Sequence, residues 1–308
     1  MPVAKANGIN IFYEAAGDPT GAPMLLIMGL GMQLTAWPED FVAALVALGF
    51  YVIRIDNRDS GLSDKFDHAA KPNLPLAFIK SALRLPLHSA YTLGDMARDS
   101  VGLLDALGVP KAHIVGASMG GMIAQIAAAR FPERVLSLTS IMSSSGKRSL
   151  PGPTREARAV LFKRPANPKD FDSVVAHGAN TFRVIGSPAY PTPERQLREG
   201  IARAIRRNVC TGGVARQMVA IAASGDRSTL LGTISAPTLV IHGAADPLVP
   251  LAGGQDTARK IPGARLEVIE GMGHDLPAQL IERLVALIDA HAHGKIGAYP
   301  TASLFQKQ

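Results

Sequence analysis

Residues Gly116-Ala117-Ser118-Met119-Gly120 follow the pattern G-x-S-x-G, in which a serine sits on a sharp turn between a strand and a helix. A serine hydroxyl becomes a useful nucleophile only when a base accepts its proton, and that base needs a third group to orient it. Two later stretches supply such groups. Thr238-Leu239-Val240-Ile241-His242-Gly243 leads into Ala244-Ala245-Asp246-Pro247, and Leu266-Glu267-Val268-Ile269 leads into Glu270-Gly271-Met272-Gly273-His274. Both place a titratable side chain just past an apolar run, at the strand ends where reactive groups collect in a parallel sheet. Asp246 would hold the His274 imidazole in one tautomer, and His274 would take the Ser118 proton and return it to a leaving group. Stabilising the resulting oxyanion needs two converging backbone N–H donors. Met119, directly after the serine, is one; Leu30, between Gly29 and Gly31, is the other. Gly29, Gly116 and Gly120 are the supporting turn residues, since a side chain there would crowd the turn.

Other titratable residues fit the chemistry less well. Asp275 adjoins His274 in sequence and so points away from the imidazole, while Asp56, at an earlier strand end, is the better reserve acid. His242 precedes the acid loop and reads as a buried structural residue, and His113 lies at the wrong end of the serine's strand. His291 and His293 lack a third ligand, so no metal is assigned. Gly29-Leu30-Gly31-Met32-Gln33-Leu34 lacks the third glycine of a dinucleotide loop, and there is no GK[ST] phosphate loop. No cofactor is expected.

These residues need a scaffold that alternates strand and helix. His113–Val115 reads as the end of a buried strand, and the helix after the serine runs to Arg130. Ile9–Tyr13 alternates like an edge strand, and Met24–Met28 is a continuous apolar run of the kind buried on both faces. Tyr51–Ile55, Val135–Met142, Thr238–Ile241 and Arg265–Ile269 are further strands. Helices are expected over Pro38–Leu48, Thr92–Leu107, Gly253–Ile261 and Ile281–His291, the second opened by a capping box with Asp95 in place of Glu. The pattern implies an α/β fold with a mostly parallel central sheet flanked by helices. Two segments interrupt it: a Pro-punctuated excursion over residues 66–90, and a stretch of short helices over 145–236. Residues 1–144 and 237–293 would form the core, 145–236 a helical cap inserted between two strands, and 294–308 a loose tail.

Composition sets the outer limits. With 308 residues and 47% hydrophobic content, the chain can bury a core of this size. The N-terminus lacks the apolar run of a signal peptide, and no uncharged run is long enough to span a bilayer, so a cytoplasmic protein without stable membrane insertion is expected. The lone Cys210 excludes an intrachain disulfide and reads as a small buried apolar residue. The net charge of +7 is uneven: residues 145–236 hold fifteen Lys and Arg against six Asp and Glu. That surplus reads first as solvated helix faces. It could also attract anionic substrates or a membrane surface, but without nucleic-acid-binding signatures it does not point to nucleic acid. Oligomeric state has no sequence signal.

Met28-Gly29-Leu30-Gly31, Asp56-Asn57-Arg58-Asp59-Ser60-Gly61-Leu62-Ser63, Gly116-Ala117-Ser118-Met119-Gly120-Gly121, His242-Gly243-Ala244-Ala245-Asp246 and Gly273-His274 together resemble the motifs of the α/β-hydrolase family. The resemblance spans residues 5–292. Met28-Gly29 and Trp37-Pro38 look most like the branch of aclacinomycin methylesterase and related bacterial carboxylesterases. Most of the family reads His-Gly where this chain reads Met28-Gly29, so support for the oxyanion loop must differ here. The resemblance implies a serine carboxylesterase acting through an acyl-enzyme on small to medium apolar esters. Ser118 argues against the family's dehalogenases and epoxide hydrolases, which use a carboxylate nucleophile. Carbon–carbon bond hydrolases and cofactor-free perhydrolases keep the serine triad and remain alternatives. A non-catalytic binder of small molecules would have no need of the triad.

Overall fold

The computed structural model describes residues 2–83 and 85–295. Its core is one eight-stranded sheet in the order β1-β2-β4-β3-β5-β6-β7-β8. The strands are β1 (Val3–Ala6), β2 (Ile9–Ala16), β3 (Ala22–Ile27), β4 (Phe50–Ile55), β5 (Ala112–Ala117), β6 (Val135–Ile141), β7 (Thr238–Gly243) and β8 (Arg265–Ile269). β1 and β2 run antiparallel to their neighbours, and all pairings from β4 to β8 are parallel. The helices are α1 (Glu39–Ala47), α2 (Leu74–Ala82), α3 (Leu93–Ala106), α4 (Met119–Arg130), α5 (Arg155–Phe162), α6 (Phe171–Ile185), α7 (Glu194–Arg207), α8 (Thr211–Ser224), α9 (Ser228–Leu231), α10 (Ala252–Lys260) and α11 (Ile281–Ala292).

The two-residue period of β3 divides the core. Leu25 and Ile27 join the apolar cluster beneath α3 and α4, whereas Met24 and Leu26 join the one beneath α1 and α11. Both faces of the strand are therefore dry, which is why it reads as an unbroken apolar run. α3 begins on the expected capping box: Thr92 accepts from the Asp95 N–H, and Asp95 accepts from the Thr92 N–H.

Three local features differ from the sequence reading. Ile9–Tyr13 is the start of β2, and the edge is taken by β1, joined through Asn7 and Gly8, both at positive φ. Residues 66–90 contain a helix, α2, whose N-cap Asn73 accepts from the Leu76 N–H with a proline in the first turn. Cys210 is half-buried at the N-terminus of α8 instead of lying in the core. Helices α5 to α9 all fall between β6 and β7, the position expected for the insertion. The tail over 294–308 lies outside the described residues from 296 onward.

Candidate active site

At the junction of β5 and α4 the backbone turns within one residue. Ser118 has φ 55° and ψ −118°, a conformation that costs a non-glycine residue about 1–3 kcal/mol and persists only when its surroundings over-determine it. Here they do. The Ser118 N–H donates to the Ile141 carbonyl at 2.9 Å, and the Ser118 carbonyl accepts from the Ser143 hydroxyl at 2.8 Å. A methyl group on Gly116 would lie 2.2 Å from the Gly120 carbonyl oxygen, and one on Gly120 would lie 2.0 Å from the Ile27 carbonyl oxygen. Both glycines are thus required by contact with backbone.

The loop after β7 brings Asp246 to this turn, and the loop after β8 brings His274. His274 Nε2 lies 3.0 Å from Ser118 Oγ, and Nδ1 lies 2.7 Å from Asp246 Oδ2. A carboxylate accepts from Nδ1–H, which leaves the Nε2 lone pair facing the serine hydroxyl. The other Asp246 oxygen accepts from the Leu248 and Val249 N–H groups at 2.9 and 2.8 Å, so three donors fix the carboxylate plane. The His274 backbone N–H donates to the Ile185 carbonyl at the end of α6, tying the loop after β8 to that helix.

The remaining candidates have other partners. His242 is fully buried; burial lowers its pKa, and its Nε2 bonds the Val249 carbonyl, holding the acid loop as a structural residue would. His113 pairs with Ser137 Oγ within the sheet. Asp275 accepts from the Ser187 hydroxyl, and burial pushes its carboxyl above the ordinary range. Asp56 accepts from the Leu34 and Leu62 N–H groups and pairs with Arg207 at 2.8 Å, so both carboxylate oxygens already have partners. His291 bonds the Leu138 and Pro237 carbonyls. Among the described residues no group of three His, Cys, Asp or Glu could hold a metal ion.

Gly29 lies directly against Ser118: a Cβ there would be 3.0 Å from Ser118 Cβ. The Leu30 and Met119 N–H groups donate to no other group among the described residues. The loop carrying Leu30 is held without the family's usual histidine. Asn57 Nδ2 donates to the Met28 carbonyl at 2.8 Å, and Ser60 Oγ donates to the Met32 carbonyl at 2.7 Å. From α8, Gln217 accepts from the Gly31 N–H at 2.8 Å and donates to the Arg58 carbonyl at 2.8 Å. Gln33 donates to the Ala204 and Asn208 carbonyls and accepts from Arg207.

Beneath this loop lie buried ion pairs. Arg216 grips Asp59 with two nitrogens, each at 2.8 Å, and Tyr91 donates its hydroxyl to the same carboxylate at 2.6 Å. Burial alone would raise the Asp59 pKa, but the Arg216 guanidinium and the Tyr91 hydroxyl hold it below the usual range. The Tyr91 hydroxyl is pushed up by burial first and then by Asp59, so it stays protonated and donating. Arg58 and Asp99 form a second bidentate pair, both groups buried. Sequence reasoning passed over Gln217 and Arg216. The available signal was an adjacent polar pair inside the apolar helical stretch Val214-Ala215-Arg216-Gln217-Met218-Val219.

Comparison with known proteins agrees with this architecture. Residues 22–278 match the model of the alpha/beta hydrolase fold family. Rhodomycin D methylesterase of Streptomyces sp. strain C5 is 30% identical, covering 92% of this chain and 95% of its own. A 2-hydroxy-6-oxononadienedioate/2-hydroxy-6-oxononatrienedioate hydrolase of Burkholderia vietnamiensis is 27% identical, covering 88% of this chain and 87% of its own. Among solved structures, a meta-cleavage product hydrolase from Pseudomonas fluorescens superposes with a TM-score of 0.74 at 21% identity, covering 96% of this chain and 98% of that one. At that identity the likeness speaks for the fold alone. With the family model matching from β3 to just before the last helix, and the sheet order and strand-end loops described above, the chain belongs to the α/β-hydrolase family.

Proposed function

We propose that this protein is a serine hydrolase that cleaves carboxylic esters through an acyl-enzyme. The observation that supports this most directly is the hydrogen-bonded series from Ser118 Oγ through His274 to Asp246, at 3.0 and 2.7 Å. Ser118 attacks the ester carbonyl while His274 Nε2 takes its proton. The tetrahedral oxyanion rests against the Leu30 and Met119 N–H groups. Collapse expels the alcohol, which leaves with the proton from His274, and Ser118 keeps the acyl group. Water then gives a proton to His274 and attacks the acyl carbon, and collapse releases the acid as His274 returns that proton to Ser118 Oγ. Asp246 accepts from His274 Nδ1–H throughout and stabilises the imidazolium. Residues 1–144 and 237–293 form the catalytic core in this reading, with 145–236 as the cap over it.

Likeness to a methylesterase over nearly the whole chain favours an ester with a small alcohol on a medium-sized apolar acid. A second reading, hydrolysis of a carbon–carbon bond by the same triad, is favoured by likeness to the Burkholderia vietnamiensis hydrolase. Initial rates on methyl and aryl esters, measured beside a vinylogous 1,5-diketone, separate the two. Ser118→Ala should lower ester turnover by on the order of 10⁴-fold or more. Turnover of simple aryl esters at the parent rate by that variant would sink the proposal, and faster turnover of the diketone would favour the second reading.

A further inference from the structure

Twelve large apolar side chains stand exposed among the described residues, and six of them fall in two neighbouring segments. Leu76, Ile79 and Leu83, with exposures of 47%, 56% and 64%, lie three and four positions apart, on one face of α2 and its C-cap. Among the described side chains of this helix only Ala77 is buried, the reverse of a helix whose apolar side meets its own core. Phe78 meets Phe162 edge-on with ring centroids 5.8 Å apart, which carries the apolar surface from α2 onto the end of α5. Leu85, also exposed, is held beside it by its N–H on the Lys80 carbonyl at 2.9 Å. A contiguous apolar surface of this kind marks a place where something else binds.

The surrounding charge identifies the occupant. Residues 66–90 and 155–169 together hold eight Lys and Arg against two Asp and Glu. Lys80 follows Ile79, and Lys163 and Arg164 follow Phe162, so cations adjoin the apolar side chains. One of the two acids, Asp67, is already paired with Arg216 at 2.9 Å. A second copy of the chain docked face to face would oppose like charges. An anionic lipid surface would meet both features, because basic side chains keep their heads at the phosphates while their stems and the Leu, Ile and Phe groups enter the acyl boundary. No helix of the described residues is long and apolar enough to cross a membrane, so such contact would be peripheral.

We infer that the face formed by α2 and the end of α5 seats this protein on anionic bilayer surfaces. α2 packs against α8, the helix whose Gln217 holds the oxyanion loop, so the seated face lies one helix away from the loop beside Ser118. This docking goes beyond the ester-hydrolase reading and stands independently of it.

The full chain is sedimented with vesicles of phosphatidylcholine alone and of phosphatidylcholine mixed with phosphatidylserine. The expected result is partition onto the mixed vesicles, weakened by salt. Leu76→Ser/Ile79→Ser/Leu83→Ser should reduce it by on the order of tenfold or more. Lys80→Glu/Lys163→Glu should reduce binding to the mixed vesicles and leave the weak binding to phosphatidylcholine unchanged. These side chains are surface groups away from the triad, so parental melting temperature and aryl-ester turnover verify folding. Absence of binding to the mixed vesicles, equal binding to both vesicles, or full binding by the triple serine variant would overturn the inference. So would a dimer on size exclusion that the triple variant dissolves, which would make the face a self-interface. Binding of polyglutamate in place of vesicles would also overturn it, assigning the face to an acidic protein.

Discussion

Replacing Gln217 by methionine tests whether the helices between β6 and β7 help to build the proposed oxyanion loop or merely cover it. Gln217 is fully buried, and its amide bridges the Gly31 N–H and the Arg58 carbonyl, both at 2.8 Å. Methionine has nearly the same length and volume but offers neither strong donor nor acceptor. The substitution therefore leaves two backbone groups unpaired, each costing about 1–3 kcal/mol if it stays buried. The loop can avoid that cost by moving until Gly31 finds water. Because the displaced peptide adjoins Leu30, the proposed donor would then leave its place. Complete loss of such a donor costs on the order of 10²–10³ in rate, so partial displacement should lower kcat by roughly ten- to a hundred-fold. KM should change by no more than about threefold, because the lost contact acts on the transition state. Gln217→Glu keeps an acceptor for Gly31 but sets a carboxylate oxygen against the Arg58 carbonyl. It should lose comparable stability and retain more of kcat. Initial rates on a p-nitrophenyl ester give kcat and KM, and the inhibition constant of a boronate analogue should rise in step with the loss of kcat. A methionine variant with reduced melting temperature but kcat within about twofold of the parent would refute the coupling.

Three further outcomes follow from contacts elsewhere. Gly120→Ala should fail to fold or lose more than about 3 kcal/mol, read from the urea midpoint, because the new methyl group would meet two backbone carbonyls that have no room to move. Arg216→Met should cost about 3–5 kcal/mol by stranding Asp59, and adding Asp59→Asn should restore part of that loss in the same urea experiment. His113 is pushed down to about 4, by burial first and then by His293 and His291, so it is neutral in the fold whereas the unfolded chain protonates near 6.5. Its contribution to stability is present above about pH 6.5 and is lost as pH falls toward 4, by roughly 1–2 kcal/mol after allowing for solvent screening. Melting temperature should decline over that window, and His113→Asn should flatten the decline.

Much of this molecule was legible because its signals are local. The buried strands are unbroken apolar runs, and the serine, acid and histidine each follow such a run by a few residues. Glycines 116 and 120 announce the sharp turn because no other residue fits there. Two elements carried local signals that the sequence reading gave too little weight. Asn7-Gly8 is a strong hairpin turn, yet β1 is only four residues long with Val3 exposed, so it has no apolar pattern of its own. Prolines over 66–90 read as breaks, although Asn73 followed by Pro75 is also how a helix begins. The loop supports were a different matter. Gln217 is 186 residues from Gly31, and Arg207 is 174 from Gln33. Pairings so distant depend on the packing angle of the inserted helices, which periodicity does not encode.

The basic surplus of the insertion illustrates the same limit and explains what those distant pairs accomplish. Counted along the chain, its fifteen cations suggest solvated faces or a field that steers substrate. In the fold some of them turn inward. Arg216 is bound to Asp59, Arg207 reaches Asp56, and Arg227 is buried with its nitrogens on the Ser144 and Gly225 carbonyls. Desolvating both members of the Arg216–Asp59 and Arg207–Asp56 pairs offsets most of their attraction, so these two contacts add little net stability. Separating them is costly nonetheless, because each would leave a charge without a partner in a dry interior. An inserted layer attached only by apolar contact could slide by a fraction of a helical turn at small cost. One pinned through Asp56 and Asp59 cannot, and those two carboxylates sit in the β4 loop that also holds Leu34 and, through Ser60, Met32. The ion pairs therefore fix the register between the helices that follow β6 and the loop carrying Leu30, and the position of Leu30 relative to Ser118 depends on both sides of that joint.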